Sequence, residues 1–326
     1  MSEVLAVGER TAAGDPPAGE RLRVVYVMGA GHSGSTILGV ALGNCAGCFY
    51  AGEVDEWLLK GSGRWAGEER TRFWEAVRGE LGDVEQGLRG EAVNRLIERS
   101  SAIFRLGERR QRGRVLPRYR RATESLFAAI ANVAGASYVI DTSHFPLRAR
   151  QLQRIAGIEL HLVFLVRDPQ SVVESNVREL SPHEVAERRV RALGTNLGLW
   201  LTQLLSIYVF LRQPRARRMF LRYEDLVADP QGVLRQLLDH LGLDAPLPDT
   251  SALAVGVPLE GNRLLAAETI SIKAPRSERA RSSRLTTVLQ RPWQLPLALL
   301  RPAARARSAS GSTSRSGSTS RSGRAG

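Results

Sequence analysis

An apolar, β-branched run, Val24 to Met28, passes without a break into Gly29-Ala-Gly-His-Ser-Gly-Ser-Thr36 and then into Ile37-Leu-Gly-Val-Ala-Leu42. A strand, a glycine-rich turn and an apolar helix start in that order leave few folds open. The turn gathers unpaired backbone N–H groups and the positive end of a helix dipole at the carboxyl end of a strand, which is an anion site. The expected ligand bears phosphate.

The rest of the chain repeats the strand-then-helix rhythm. Further β-branched runs occur at 137–140, 160–166 and 219–223, and helical patterns fall at 37–42, 73–103, 124–133, 147–155, 171–177, 183–211 and 232–241. Such alternation predicts an α/β fold with a mainly parallel central sheet covered by helices on both faces. Residues 1–20 read as a flexible leader, 21–300 as one domain with a helical insertion at about 55–120, and 301–326 as a disordered Ser/Gly/Arg-rich tail. The apolar stretch from Leu197 to Leu211 is interrupted by Thr202, Gln203 and Ser206, so it reads as a buried helix rather than a transmembrane segment.

Charge has to be located before it is interpreted. The formal net charge is +13, but residues 291–326 hold seven arginines and no acid, which leaves 13 − 7 = +6 for the other 290 residues. That balance suits a polyanionic small ligand better than a nucleic-acid partner. Only Lys60 and Lys273 are lysines among the 46 basic residues, so a flexible ammonium is scarce. The lone Cys45-x-x-Cys48 cannot supply four zinc ligands and reads as two small residues at a buried helix end or loop. The opening residues lack an apolar signal core, and a cytoplasmic location is expected.

Three families compete for the first loop. As a Walker A motif it has Gly29, Gly34 and Thr36, but Ser35 stands where the phosphate-gripping lysine belongs. As a dinucleotide fingerprint it offers Gly29-x-Gly31-x-x-Gly34 with Glu53 some twenty residues on, which would make an NAD-dependent oxidoreductase; yet residues 44–53 are too Gly/Ala-broken for the second strand this needs. The third candidate rests on His32-Ser-Gly-Ser-Thr36. It resembles the 5′-phosphosulfate loop of sulfotransferases that use 3′-phosphoadenosine 5′-phosphosulfate (PAPS), in the carbohydrate/tyrosine-type branch of bacterial members. The resemblance implies a P-loop NTPase-like three-layer fold, amides of Ser33 to Thr36 and hydroxyls of Ser35 and Thr36 around the phosphosulfate, and Gly31 and Gly34 in the turn. His32 replaces the family's Lys or Arg; protonated beside sulfonate and phosphate, it is expected to act as electrophile or general acid.

Later segments fit the same resemblance, which covers roughly residues 23–275. Phe164-Leu-Val-Arg-Asp-Pro169 followed by Ser175 resembles the 3′-phosphate signature, with Arg167 gripping the phosphate bidentately and Ser175 adding a hydroxyl. Leu221-Arg-Tyr-Glu-Asp-Leu226 with Pro230 resembles a scaffolding segment, and Gly261-Asn-Arg263 a loop whose basic residues, Arg263 and more weakly Lys273, complete the 3′-phosphate site. The resemblance implies two positions for handling the acceptor. Glu53 resembles a catalytic base that takes the acceptor hydroxyl's proton, and His144, at the end of Val139-Ile-Asp-Thr-Ser-His144, stands where the family commonly has Lys. The implied activity is metal-free sulfuryl transfer from PAPS to a hydroxyl on a sugar, lipid, peptide or other small molecule. Histidine at both lysine positions leaves a second reading open, a homologue that binds the nucleotide without turnover. Trp57, Trp65 and Trp74 in the insertion are expected to be mostly structural, and acceptor specificity is expected to reside there.

Overall fold

A computed structural model describes residues 21–60, 65, 67–82, 88, 93–178, 185–261, 263–273 and 283–300; the expected leader and tail lie outside the described residues. The main sheet is built from β1 (Leu22–Gly29), β2 (Cys48–Gly52), β3 (Tyr138–His144), β4 (Ile158–Val166) and β5 (Arg218–Arg222), all parallel and ordered β2-β3-β1-β4-β5. A small antiparallel pair, β6 (Leu253–Ala254) and β7 (Thr269–Ile270), lies outside it. The helices are α1 (Ser35–Gly43), α2 (Asp55–Lys60), α3 (Glu68–Leu81), α4 (Arg109–Ala134), α5 (Pro146–Leu152), α6 (Pro169–Val177), α7 (Val185–Arg212), α8 (Tyr223–Ala228), α9 (Pro230–Leu241) and α10 (Arg284–Leu299).

The unbroken apolar run of β1 is explained by burial on both faces. Val24, Tyr26 and Met28 point into one core with Trp74, Phe127, Leu152 and Val209, while Val25 and Val27 point into the other with Leu38, Leu42, Leu234 and Leu237. Every β1 side chain from Val24 to Met28 is fully buried. Trp57 and Trp74 belong to the first core, and Trp65 packs against it, so these tryptophans are structural as the sequence suggested.

Three local expectations change. Residues 48–52 do form a strand, because Phe49 and Tyr50 pair with Val139 and Ile140 of β3 and tertiary pairing outweighs weak local propensity. The helix read across 73–103 is broken after Leu81, where Gly82 takes φ 58, and among the residues described beyond it helical turns occur at Asn94–Glu98 and Ser100–Phe104. The third change concerns α7, which is inverted. Asn196, Gln203 and Ser206 point inward beside Leu199, Val209 and Phe210, whereas Leu197, Trp200, Leu204, Tyr208 and Leu211 point outward. The inward polar groups are tolerable where partners meet them: Asn196 donates to Thr286 Oγ1 (3.1 Å), and Gln290 donates to the Asn196 carbonyl (3.0 Å), which ties α7 to α10.

Candidate functional site

Strand order sets the site. The carboxyl ends of β2, β3, β1 and β4 deliver Glu53, His144, the Gly29–Thr36 loop and Arg167 in one row along the edge of the sheet, and β5 ends beside them at Tyr223. The edge outside the strand carboxyl ends is where open α/β sheets bind ligands.

In the first loop, α1 begins at Ser35, so the amides of Ser35, Thr36 and Ile37 have no intrahelical acceptor. Gly34 precedes them at φ 92, and a Cβ there would lie 2.3 Å from the ring of Tyr223, so both conformation and space require glycine. At Gly31 nothing stands within 4 Å of a built Cβ, so the turn is open on that side. Ser33, Ser35 and Thr36 are buried, and Ser33 Oγ has no hydrogen-bond partner.

The sequence-predicted residues His32, Arg167 and Ser175 come together. Arg167 Nη1 donates to the His32 carbonyl at 2.9 Å, and Ser175 Oγ lies 3.2 Å from His32 Nδ1. The Arg167 guanidinium also sits over the Tyr223 ring, 4.6 Å from its centre. Asp168 caps α6 by accepting from Ser171 N (2.9 Å), with Pro169 in the first turn, so the strand ends where the X-Pro rule placed it. Glu224 accepts from Asp168 N at 2.8 Å and pairs with Arg222 at 3.0 Å. The Arg-Tyr-Glu-Asp segment is therefore the scaffold expected of it, and Asp229 caps α9 ahead of Pro230. Tyr223 does more than was read from sequence, wedging between Gly34 and Arg167. A cavity of about 240 Å³ is lined by Arg167 together with Phe220, Arg222, Trp293 and Leu297 among others.

The other half of the row is built differently. His144 ends β3 at φ 56 and His32 turns at φ 62; among the described residues these are the non-glycine residues with left-handed φ. Such conformations cost on the order of 1–3 kcal/mol each and concentrate at functional sites. Burial lowers the His144 pKa to about 4, helped by Arg99 and His32 and opposed by a hydrogen bond to the Thr142 carbonyl. His144 is thus an uncharged imidazole at neutral pH and does not reproduce the cation of a lysine.

A buried polar network that sequence reasoning missed holds this half in place. Asp141 Oδ1 accepts from Ser143 N (2.8 Å) and Val54 N (3.4 Å), and Ser143 Oγ also donates to it. Asp141 Oδ2 accepts from Arg148 Nε (3.1 Å), while Arg148 Nη1 meets Glu98 (2.5 Å), to which Tyr119 also donates (2.6 Å). Asp141, Arg148, Glu98 and Tyr119 are at most 1% exposed. Together they brace the β3 end that carries His144 and the β2–α2 junction that carries Glu53. Aspartate in Asp141-Thr-Ser was the only sequence signal for it; Glu98 and Arg148 lie in unremarkable helical stretches. Burial pushes the Asp55 carboxyl, at the start of α2, well above the usual carboxylate range.

Some expectations shift in position. Glu53 does sit at the row, its N–H bonded to the Glu260 carbonyl at 2.9 Å. The same strap, with Leu259 N bonded to the Ala51 carbonyl, anchors the Gly261–Arg263 loop at the exposed edge of β2, beside Glu53 rather than beside Arg167. An unpaired sheet edge takes up that segment, and Arg263 is exposed on the turn that follows. Lys273 is likewise exposed. The Thr36 hydroxyl meets Tyr50, whose OH lies 3.2 Å from Thr142 Oγ1 and whose pKa burial raises to about 12. Cys45 and Cys48 are free thiols with pKa values pushed up by burial to about 11 and about 12, which makes them inert packing residues.

The dinucleotide reading fails on topology. In that fold the strand carrying the acidic residue neighbours the first strand, but here β3 lies between β2 and β1, so Glu53 is two strands from the Gly29–Thr36 loop.

Fold and site thus define an α/β protein in which a glycine-rich loop at a helix start and the arginine at the β4 exit meet at one sheet edge. The chain belongs to the sulfotransferase family, whose sequence model matches residues 25–247. A search of curated proteins returns no match. Among solved structures, the sulfotransferase domain of the Synechococcus PCC 7002 olefin synthase shares 19% identity at a TM-score of 0.50, covering 85% of this chain and 96% of that one. The sulfotransferase domain from the curacin biosynthetic pathway (18%, TM-score 0.46, covering 84% and 98%) and STF9 from Mycobacterium avium (10%, 0.45, covering 84% and 76%) also match. At these identities the likeness concerns the fold.

Proposed function

We propose that this protein is a PAPS-dependent sulfotransferase acting on a hydroxyl acceptor. The observation that carries the reading is the cluster of His32, Arg167 and Ser175, in which the first loop and the β4 exit, 135 residues apart, meet through hydrogen bonds of 2.9 and 3.2 Å. The residues suit the donor. Free amides at the start of α1, the open turn at Gly31 and the buried, unpartnered Ser33 hydroxyl form a cradle for the phosphosulfate. Arg167 and Ser175 supply a charged fork and a hydroxyl for a 3′-phosphate. Bound there, PAPS supplies an activated sulfuryl group.

The chain's own residues then divide the work. Glu53 takes the proton of the acceptor hydroxyl as its oxygen forms a bond to sulfur, and the bond from sulfur to the bridging phosphate oxygen breaks. The loop amides and His32 meet the charge that develops on the departing oxygen, which leaves as adenosine 3′,5′-bisphosphate. Neutral His144, strained and adjacent, positions the acceptor or the sulfuryl oxygens through hydrogen bonds rather than charge. The acceptor enters from the side of β2 and β3, a sugar, lipid, peptide or other small alcohol or phenol.

Because His144 offers no positive charge, a nucleotide-binding homologue without turnover is the second reading. Calorimetric titration with adenosine 3′,5′-bisphosphate, beside 5′-AMP, ATP and NAD, tests the site. Micromolar binding that requires the 3′-phosphate and is weakened about 10- to 100-fold in Arg167→Ala is expected; preference for NAD or ATP, or no binding at all, sinks the proposal. Incubation with labelled PAPS and an acceptor panel then separates enzyme from binder.

A further inference from the structure

The outward face of α7 is apolar over most of its length. Leu193, Leu197, Trp200, Leu204, Tyr208 and Leu211 are 40–59% exposed, and residues 192–211 contain no charged side chain. Next to it, α10 exposes Leu285, Val288, Leu295 and Leu299, and the two helices are clasped by Trp200 against Trp293 (4.7 Å between ring centres). Ten large apolar side chains on two adjoining helices far exceed the scattered exposure of a soluble surface.

Three occupants fail on chemistry or geometry. Residues 301–326 contain no Val, Ile, Leu, Met or aromatic side chain and cannot cover the face. The small ligands of the sheet edge lie at the strand ends. A membrane-spanning role conflicts with the packing of α7: although Ala186–Arg212 is long and apolar enough to cross a bilayer, its inner side buries Leu199, Val209 and Phe210 with the polar Asn196, Gln203 and Ser206 against the domain.

Charge points to the occupant. Arg189 and Arg191 precede the apolar face of α7, Arg212 and Arg215 follow it, and α10 leads directly into 26 residues holding six arginines and no acid. Apolar faces with Trp and Tyr, flanked by arginine, match the interface of a bilayer with anionic headgroups. We infer that α7 and α10 together form a docking surface for an anionic phospholipid membrane, with both helices lying in the plane of the interface and the exposed arginines at the two ends of α7 on the headgroups. The inference is independent of the transferase chemistry.

Co-sedimentation of the full chain with vesicles of phosphatidylcholine alone and with 30% phosphatidylglycerol, at about 0.15 M salt, tests it. Binding to the anionic vesicles only is expected, lowered at least tenfold by Leu197→Gln with Leu204→Gln and about fivefold for each of Arg189, Arg212 and Arg215 changed to Ser. Should the double variant fail to fold, fluorescence quenching by brominated phosphatidylcholine in the anionic vesicles serves instead. Quenching in the unaltered protein that drops in Trp200→Phe supports the surface, and quenching unaffected by Trp200→Phe overturns it. Protein remaining in the supernatant with both vesicles overturns it too. So does vesicle binding that ignores the leucine changes, which would assign attachment to the arginines alone. A dimer in light scattering that the leucine changes convert to monomer, without vesicle binding, would instead make this face the contact between two copies of the chain.

Discussion

The two halves of the site edge solve the same problem, holding side chains at strand ends, by different means. On the β1, β4 and β5 side, the geometry is local: a left-handed glycine, a helix start, an X-Pro stop and the Tyr223 ring between Gly34 and Arg167. On the β2 and β3 side, Glu53 and His144 depend on buried charges brought from Glu98, Tyr119, Asp141 and Arg148, and on a strap from residues 258–260. The first kind of site is written in short motifs; the second is assembled by packing. A half built on motifs is expected to tolerate loss of one donor better than a half built on a buried ionic network.

The largest effect expected from breaking this contrast is at Arg148. Arg148→Ala leaves Asp141 and Glu98 buried without their cation and should lower unfolding free energy by about 3–5 kcal/mol, measured by urea denaturation. An unchanged midpoint would show that the network does not brace the β2–β3 side. Next comes Glu53→Gln, which should lower turnover by at least about 100-fold while leaving the dissociation constant of adenosine 3′,5′-bisphosphate within about twofold; equal losses in both would erase the division of labour. Arg167→Ala should do the reverse, weakening that nucleotide by about 10- to 100-fold, as loss of a charge-assisted hydrogen bond does, with stability changed by less than about 1 kcal/mol.

The smallest effect is a pH dependence. The His144 pKa falls from about 6.5 in an unfolded chain to about 4 in the fold, so the unfolded state binds the extra proton between these values. Stability from this group is complete above about pH 6.5 and is lost as pH falls toward 4. His144→Gln should make the acid-side decline in melting temperature shallower, and an identical decline in both proteins would remove His144 from the account.

Much of this is legible in the sequence. The β1 run is apolar at every position because both its faces are buried, and that pattern, followed by Gly29–Thr36, made the parallel α/β fold and the glycine-rich loop at the helix start legible. Arg167, Pro169 and Ser175 were readable for a similar reason: a strand stop and a helix start obey local rules of backbone geometry. Residues 48–52 were not, since their strand exists through pairing with β3. The strap that carries Arg263 toward β2 was hidden likewise, because edge pairing selects its partner in space.

The sequence by itself determined the elements that local sterics and period-two burial dictate, together with the first loop, Arg167 and Ser175. Only the tertiary structure decided the strand order that aligns Glu53, His144, His32 and Arg167, the buried pairing of Arg148 with two distant acids, and the outward turn of the apolar side of α7. These outcomes depend on which residues meet across long stretches of chain, and desolvation, ion pairing and helix orientation have no local signature.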